Sequence, residues 1–117
     1  MQMQTDISQD EDGVVLVKLA GRFTLGDSMS IADSKISEWI ESQGARKLVF
    51  DMTEITHMDS AGLALIVHMN GRLQGLGGQL RLAGINPRVL RVFRMTCTDG
   101  ILQIDPDLPS SVEKLKE

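Results

Sequence analysis

The residues of this 117-residue chain with the most chemical character crowd into one window, Lys47 to Leu76, KLVFDMTEITHMDSAGLALIVHMNGRLQGL. Within it, Asp59-Ser60-Ala61-Gly62 lies between the apolar run Leu48-Val49-Phe50, which ends at Asp51, and a second apolar segment of helical length. The pattern reads as a strand, a polar loop and a helix that starts at a serine. A helix start leaves backbone N–H groups unpaired and carries partial positive charge, so a phosphate is tolerated there. Other chemistries are weaker. Ser60, His57 or His68, and Asp51 can be written as a nucleophilic triad, but no G-x-S-x-G elbow is present and nothing in the loop orients His57. Asp51 and Asp59 lack the partners of an acid–base pair and are expected to order the loop by accepting backbone N–H bonds. Gly75-Leu76-Gly77-Gly78 lacks the lysine and hydroxyl residue of a phosphate-binding loop. Two histidines and one cysteine do not form a metal-ligand spacing. The chain therefore reads as a binding module rather than an enzyme, with no cofactor.

Ser60 has two readings. As a helix cap it contributes about 1 kcal/mol. As a phosphoacceptor it would gain a charge of roughly −1.5 to −2, which the helix dipole favours by about 0.3–1 kcal/mol. The fold should then survive the modification. Asp51, Glu54 and Asp59 surround the serine in sequence, and no Lys or Arg occurs between Lys47 and Arg72. A bound protein presenting one like charge near 4 Å would be penalised by about 4 kcal/mol at an effective dielectric of about 20, roughly a thousandfold in affinity.

The elements that must position these residues follow from periodicity. Met3, Thr5 and Ile7 alternate with polar residues as a short strand, and Asp12-Gly13 turns the chain into a second strand, Val14 to Ala20, ended by Gly21. Asp27 or Ser28 can cap a helix running to about Gln43, with Met29, Ala32, Ile36, Trp39 and Ile40 as its core stripe. The third strand, Arg46 to Met52, has the unbroken apolar centre of a strand buried on both faces. Ser60 to about Leu76 forms the second helix, Gln79 to Ala83 the fourth strand, and Asn86-Pro87 starts a third helix to Thr96. A last strand, Ile101 to Ile104, precedes a terminal helix capped by Ser110 or Ser111. The order β-β-α-β-α-β-α-β-α predicts a single α/β domain, residues 1–117. Its mixed sheet would open with an antiparallel hairpin and continue with parallel strands between helices. On the second helix, Leu63, Ile66, Val67 and Leu73 form the sheet-facing stripe, while Leu65, Met69 and Leu76 form another beside it. Either a neighbouring helix of the domain covers that second stripe, or a partner protein docks on it.

Composition narrows the function classes. Aromatic residues make up 3% of the chain, too few for the stacking platforms of single-strand binders, and a net charge of −4 disfavours the phosphate backbone. Nucleic acid is not an expected partner. No apolar run reaches bilayer length, no signal peptide is expected before the fold, and one cysteine permits no internal disulfide. These features predict a cytoplasmic protein without membrane insertion, and Cys97 is expected to be a buried, inert thiol.

Leu48-Val49-Phe50-Asp51-Met52-Thr53 followed by Met58-Asp59-Ser60-Ala61-Gly62-Leu63 resembles the signature of the STAS domain, the domain of bacterial anti-sigma-factor antagonists. The similarity extends to Leu82–Pro87 and to the Gly13–Leu25 strand region, nearly the whole chain. The resemblance implies that the unmodified protein binds an anti-sigma factor that is also a serine kinase and so frees a sigma factor. Phosphorylation of Ser60 would end that binding, and a phosphatase would restore it. Asp51, Asp59 and Gly62 would support the phosphosite loop, while Met58, Ala61, Leu65 and Met69 would face the partner. Ala61 stands where the family often has a second hydroxyl residue, leaving Ser60 as the motif's one acceptor. STAS domains also serve as adaptor subunits of lipid-transport ABC complexes and in stress-signalling assemblies, the alternative in which no phosphate switch operates.

Overall fold

A computed structural model describes residues 2–116. Its elements are β1 (Gln4–Gln9), β2 (Val15–Phe23), α1 (Asp27–Glu41), β3 (Lys47–Met58), α2 (Ser60–Gly75), β4 (Gln79–Ala83), α3 (Pro87–Met95), a short 3-10 turn, β5 (Gln103–Asp105) and α4 (Leu108–Lys116). The five strands lie side by side in chain order. β1 and β2 pair antiparallel, and β2, β3, β4 and β5 pair parallel, as crossover helices require. The expected α/β class and element order are both present.

Strand alternation divides the core. Val15, Val17, Leu19, Leu48, Phe50, Met52, Leu80 and Leu82 face one layer with the buried residues of α1, α2 and α3. Val14, Val49 and Ala83 point to the opposite face, where Leu115, Leu108 and Val112 of α4 cover them. Trp39 is half-buried against the larger cluster, as its place on the α1 stripe predicts. Asn86 caps α3: its Oδ1 accepts the Val89 N–H at 2.9 Å, with Pro87 in the first turn.

The largest departure from the expected elements is β3. It runs 12 residues to Met58 instead of stopping at Met52, so the stretch before Ser60 is strand rather than loop. Among the described residues its outer half pairs only with β2, which itself continues through Gly21 to Phe23, while β4 ends opposite Asp51. Register shifts at Lys18/Ala20 and Gly21/Arg22 break the period of two. Gly21 takes φ 99, a conformation that glycine permits within the strand.

Smaller corrections concern ends. Gly26 rather than Asp27 or Ser28 occupies the N-cap of α1, with no side-chain bond. α4 begins at Leu108, where the Asp107 carboxylate accepts the Ser110 N–H at 2.9 Å and Pro109 fits the first turn. Cys97 is exposed, with φ 60, at the turn after α3. The burial expected for a free thiol fails there because the chain must reverse at that residue.

Candidate functional site at the start of α2

The outer half of β3 delivers the chain to the start of α2, beyond the end of β4. Asp59, not Ser60, is the N-cap residue: its Oδ1 accepts the Gly62 N–H at 3.0 Å. Its other carboxylate oxygen accepts the Leu25 N–H, also at 3.0 Å. One side chain thus ties the helix start to the loop between β2 and α1. Burial opposes the Asp59 charge, but N–H groups of Leu25, Gly62 and Ala61 outweigh it and hold the carboxyl below its ordinary range. Ser60 becomes the first helical residue and its side chain is exposed. With Asp59 performing the capping, the Ser60 hydroxyl is left facing solvent at the positive end of a 16-residue helix.

Gly62 is buried against the last residue of β2. A Cβ there would intrude on the Phe23 carbonyl oxygen and lie 2.9 Å from Met58 Cγ and 3.0 Å from Phe23 Cδ1. The carbonyl cannot move without disturbing the β2–β3 pairing, so Gly62→Ala is expected to destabilise the domain by about 1–3 kcal/mol. Urea unfolding checks this; a midpoint unchanged from wild type would show that the helix start can shift freely.

The expected loop residues separate in space. The Asp51 carboxylate accepts both the N–H and the hydroxyl of Thr53, at 3.1 and 2.6 Å, and braces β3 instead of the Ser60 turn. His57 is on β3, exposed, with Nδ1 3.0 Å from Thr56 Oγ1 and Nε2 3.4 Å from Arg88 Nη1. His68 is exposed on α2. Ser60, a histidine and Asp51 are therefore not assembled as a triad, and among the described residues no side chain hydrogen-bonds Ser60 Oγ.

Met58 and Ala61 are half-buried at the rim, packed against the core. Leu65 and Met69, expected to face a partner, are buried in the core cluster instead. α1 lies alongside α2, with Arg72 joining Ser37 Oγ at 3.0 Å and the Glu41 carboxylate, so the domain itself covers that second stripe. Leu76, the last member of the stripe, is exposed at the far end. Two features escape a reading of the window alone. Leu25, 80% exposed, is brought to the rim by its bond to Asp59. Arg88 reaches His57 across 31 residues, placing a cation at a rim whose own sequence has none. A lone leucine before Gly26, between two elements, was the available signal for the first; for the second there was none short of the fold.

Among the described residues, no helix is long and apolar enough to cross a membrane. The domain is similar to known proteins over almost its whole length. An anti-sigma F factor antagonist from Paenibacillus polymyxa is 27% identical over 105 residues, covering 90% of this chain and 86% of that protein. The anti-sigma factor antagonist SpoIIAA in its unphosphorylated form matches with a TM-score of 0.75 at 16% identity, over 95% of this chain and 96% of that one. The Bacillus cell fate determinant SpoIIAA in its phosphorylated form matches with a TM-score of 0.73 at 19% identity, over 95% and 98%. The STAS domain family model matches residues 7–111, and the chain belongs to the STAS domain family.

Proposed function

We propose that this protein is an anti-sigma-factor antagonist controlled by phosphorylation of Ser60. In its unmodified form it binds an anti-sigma factor with serine kinase activity, releasing the sigma factor that the kinase holds. The kinase phosphorylates Ser60, binding ends, and a phosphatase resets the module. The protein is a regulator and not an enzyme, acts in the cytoplasm, and needs no cofactor.

One observation carries this reading: Ser60 is exposed at the first position of α2, with the capping role taken by Asp59. A hydroxyl that the fold does not use for capping is free for a kinase, and the helix dipole stabilises the anion produced. Support also comes from the relative named an anti-sigma F factor antagonist. Likewise, the same fold is found in SpoIIAA both with and without phosphate. The contact surface consists of Leu25, Met58 and Ala61 around Ser60, without the buried Leu65 and Met69. No feature of this site favours the transporter-adaptor alternative.

Incubation with the candidate kinase and ATP, followed by mass-spectrometric mapping, is expected to place a single phosphate on Ser60. Ser60→Ala should remain bound to that kinase whether or not ATP is present. Phosphate confined to other residues, or release of Ser60→Ala by ATP, would refute the switch.

A further inference from the structure

The chain carries a net charge of −4, yet no acidic residue occurs from Ile85 to Thr98. Within that stretch α3 presents Arg88, Arg91 and Arg94, all exposed. At 100 degrees per residue the three fall on one arc, with Met95 between Arg91 and Arg88. Val89 and Phe93 fill the opposite arc and are buried in the core. The ion pairs among the described residues use Lys18, Arg72, Arg81, Lys114 and Lys116, and none of the α3 arginines. Met95, 76% exposed, is therefore an apolar knob ringed by unneutralised cations, with Ile101 also exposed just beyond the following turn.

From this we infer that α3 is a second docking surface, one that receives an acidic face of the protein bound at Ser60. Three like charges on about two helical turns repel one another in the free domain, and an acidic partner relieves that repulsion on binding. Arg88 Nη1 lies 3.4 Å from Nε2 of His57, which brings the first residue of the strip to the strand that delivers Ser60. A partner held by acidic groups along α3 brings its negative field to the rim where the phosphoserine forms. A membrane surface is a poorer occupant: the apolar side of α3 is committed to the core, leaving Met95 and Ile101 too small an area to insert.

The inference rests on the function proposed above, and its test separates the two. The full chain and the anti-sigma factor of its own genome are titrated by calorimetry at about 50 and about 300 mM salt. Arg91→Glu/Arg94→Glu is expected to weaken binding by roughly tenfold or more and to flatten the salt dependence, while Arg91→Lys/Arg94→Lys retains most of the affinity. Both pairs are exposed, so an unchanged melting temperature checks the fold. If Ser60→Asp weakens binding and Arg91→Glu/Arg94→Glu leaves it within about twofold at both salts, α3 is not an interface and the switch stands. If the wild-type chain binds no such factor, the proposed function falls and this surface with it. Vesicles containing phosphatidylserine form the last arm: sedimentation of the wild type but not of Arg91→Glu/Arg94→Glu would assign α3 to a membrane and overturn the protein partner.

Discussion

Ser60→Asp is expected to weaken the complex with the anti-sigma factor by roughly a thousandfold while moving the melting temperature of the free domain by no more than about 4 °C. The two halves of this result have different causes. In the free domain the new carboxylate sits exposed at the start of α2, where the dipole favours it by about 0.3–1 kcal/mol. Water screens it from Asp59, whose own charge is already held by the Leu25 and Gly62 N–H groups. In the complex the same carboxylate is covered. One like charge near 4 Å then costs about 4 kcal/mol at an effective dielectric of about 20. Calorimetric titration measures the first half and circular dichroism the second. A variant that binds as tightly as wild type shows that Ser60 lies outside the interface. A variant that unfolds shows instead that the helix start does not accommodate charge.

How far this site was legible depended on whether the signal was local. Asn86-Pro87 announced α3 because both residues act within one turn, and the apolar run Leu48–Phe50 announced the centre of β3 because both faces of that strand are covered. The outer half of β3 was hidden. Thr53, Glu54, Thr56 and His57 look like a loop, since this half of the strand pairs with β2 beyond the end of β4 and two register shifts scramble its alternation. The cap was misplaced by one residue for a related reason. Aspartate and serine cap equally well on propensity, and Asp59 takes the position because one carboxylate can reach both Gly62 and Leu25. That second bond spans 34 residues, a contact no window contains. The stripe of Leu65 and Met69 was ambiguous in the same sense: periodicity shows that a face is apolar but not whether α1 or another protein covers it.

A second large effect is expected on the opposite side of the sheet. Asp105, 2% exposed at the end of β5, accepts Arg81 Nε at 2.7 Å and Nη2 at 3.0 Å, Ser111 Oγ at 2.6 Å and Lys114 Nζ at 3.0 Å. One carboxylate therefore joins β4, β5 and α4. Asp105→Ala leaves the Arg81 guanidinium buried without its counter-charge, which costs about 3–5 kcal/mol, a large part of the roughly 5–15 kcal/mol that holds an ordinary domain. The pH dependence has a definite sign. The Arg81 hydrogen bonds, opposed by burial and aided by Ser111 and Lys114, hold the folded-state pKa of Asp105 far below its ordinary value. The contribution is therefore fully present above the unfolded pKa of about 3.9 and is lost as the pH falls through the lower folded-state value. Urea unfolding should show Asp105→Ala well below wild type at pH 7, with the gap narrowing as the solution is acidified below about pH 4. Replacing both partners, as in Arg81→Met/Asp105→Leu, should recover part of the loss, because the uncompensated charge is gone. A gap that persists undiminished in acid would mean that the carboxylate acts through shape rather than charge. Because α4 and Ser60 lie on different faces of the sheet, the folded fraction of Asp105→Ala should still accept phosphate at Ser60. Loss of that phosphorylation in protein that remains folded would show that the two faces are coupled.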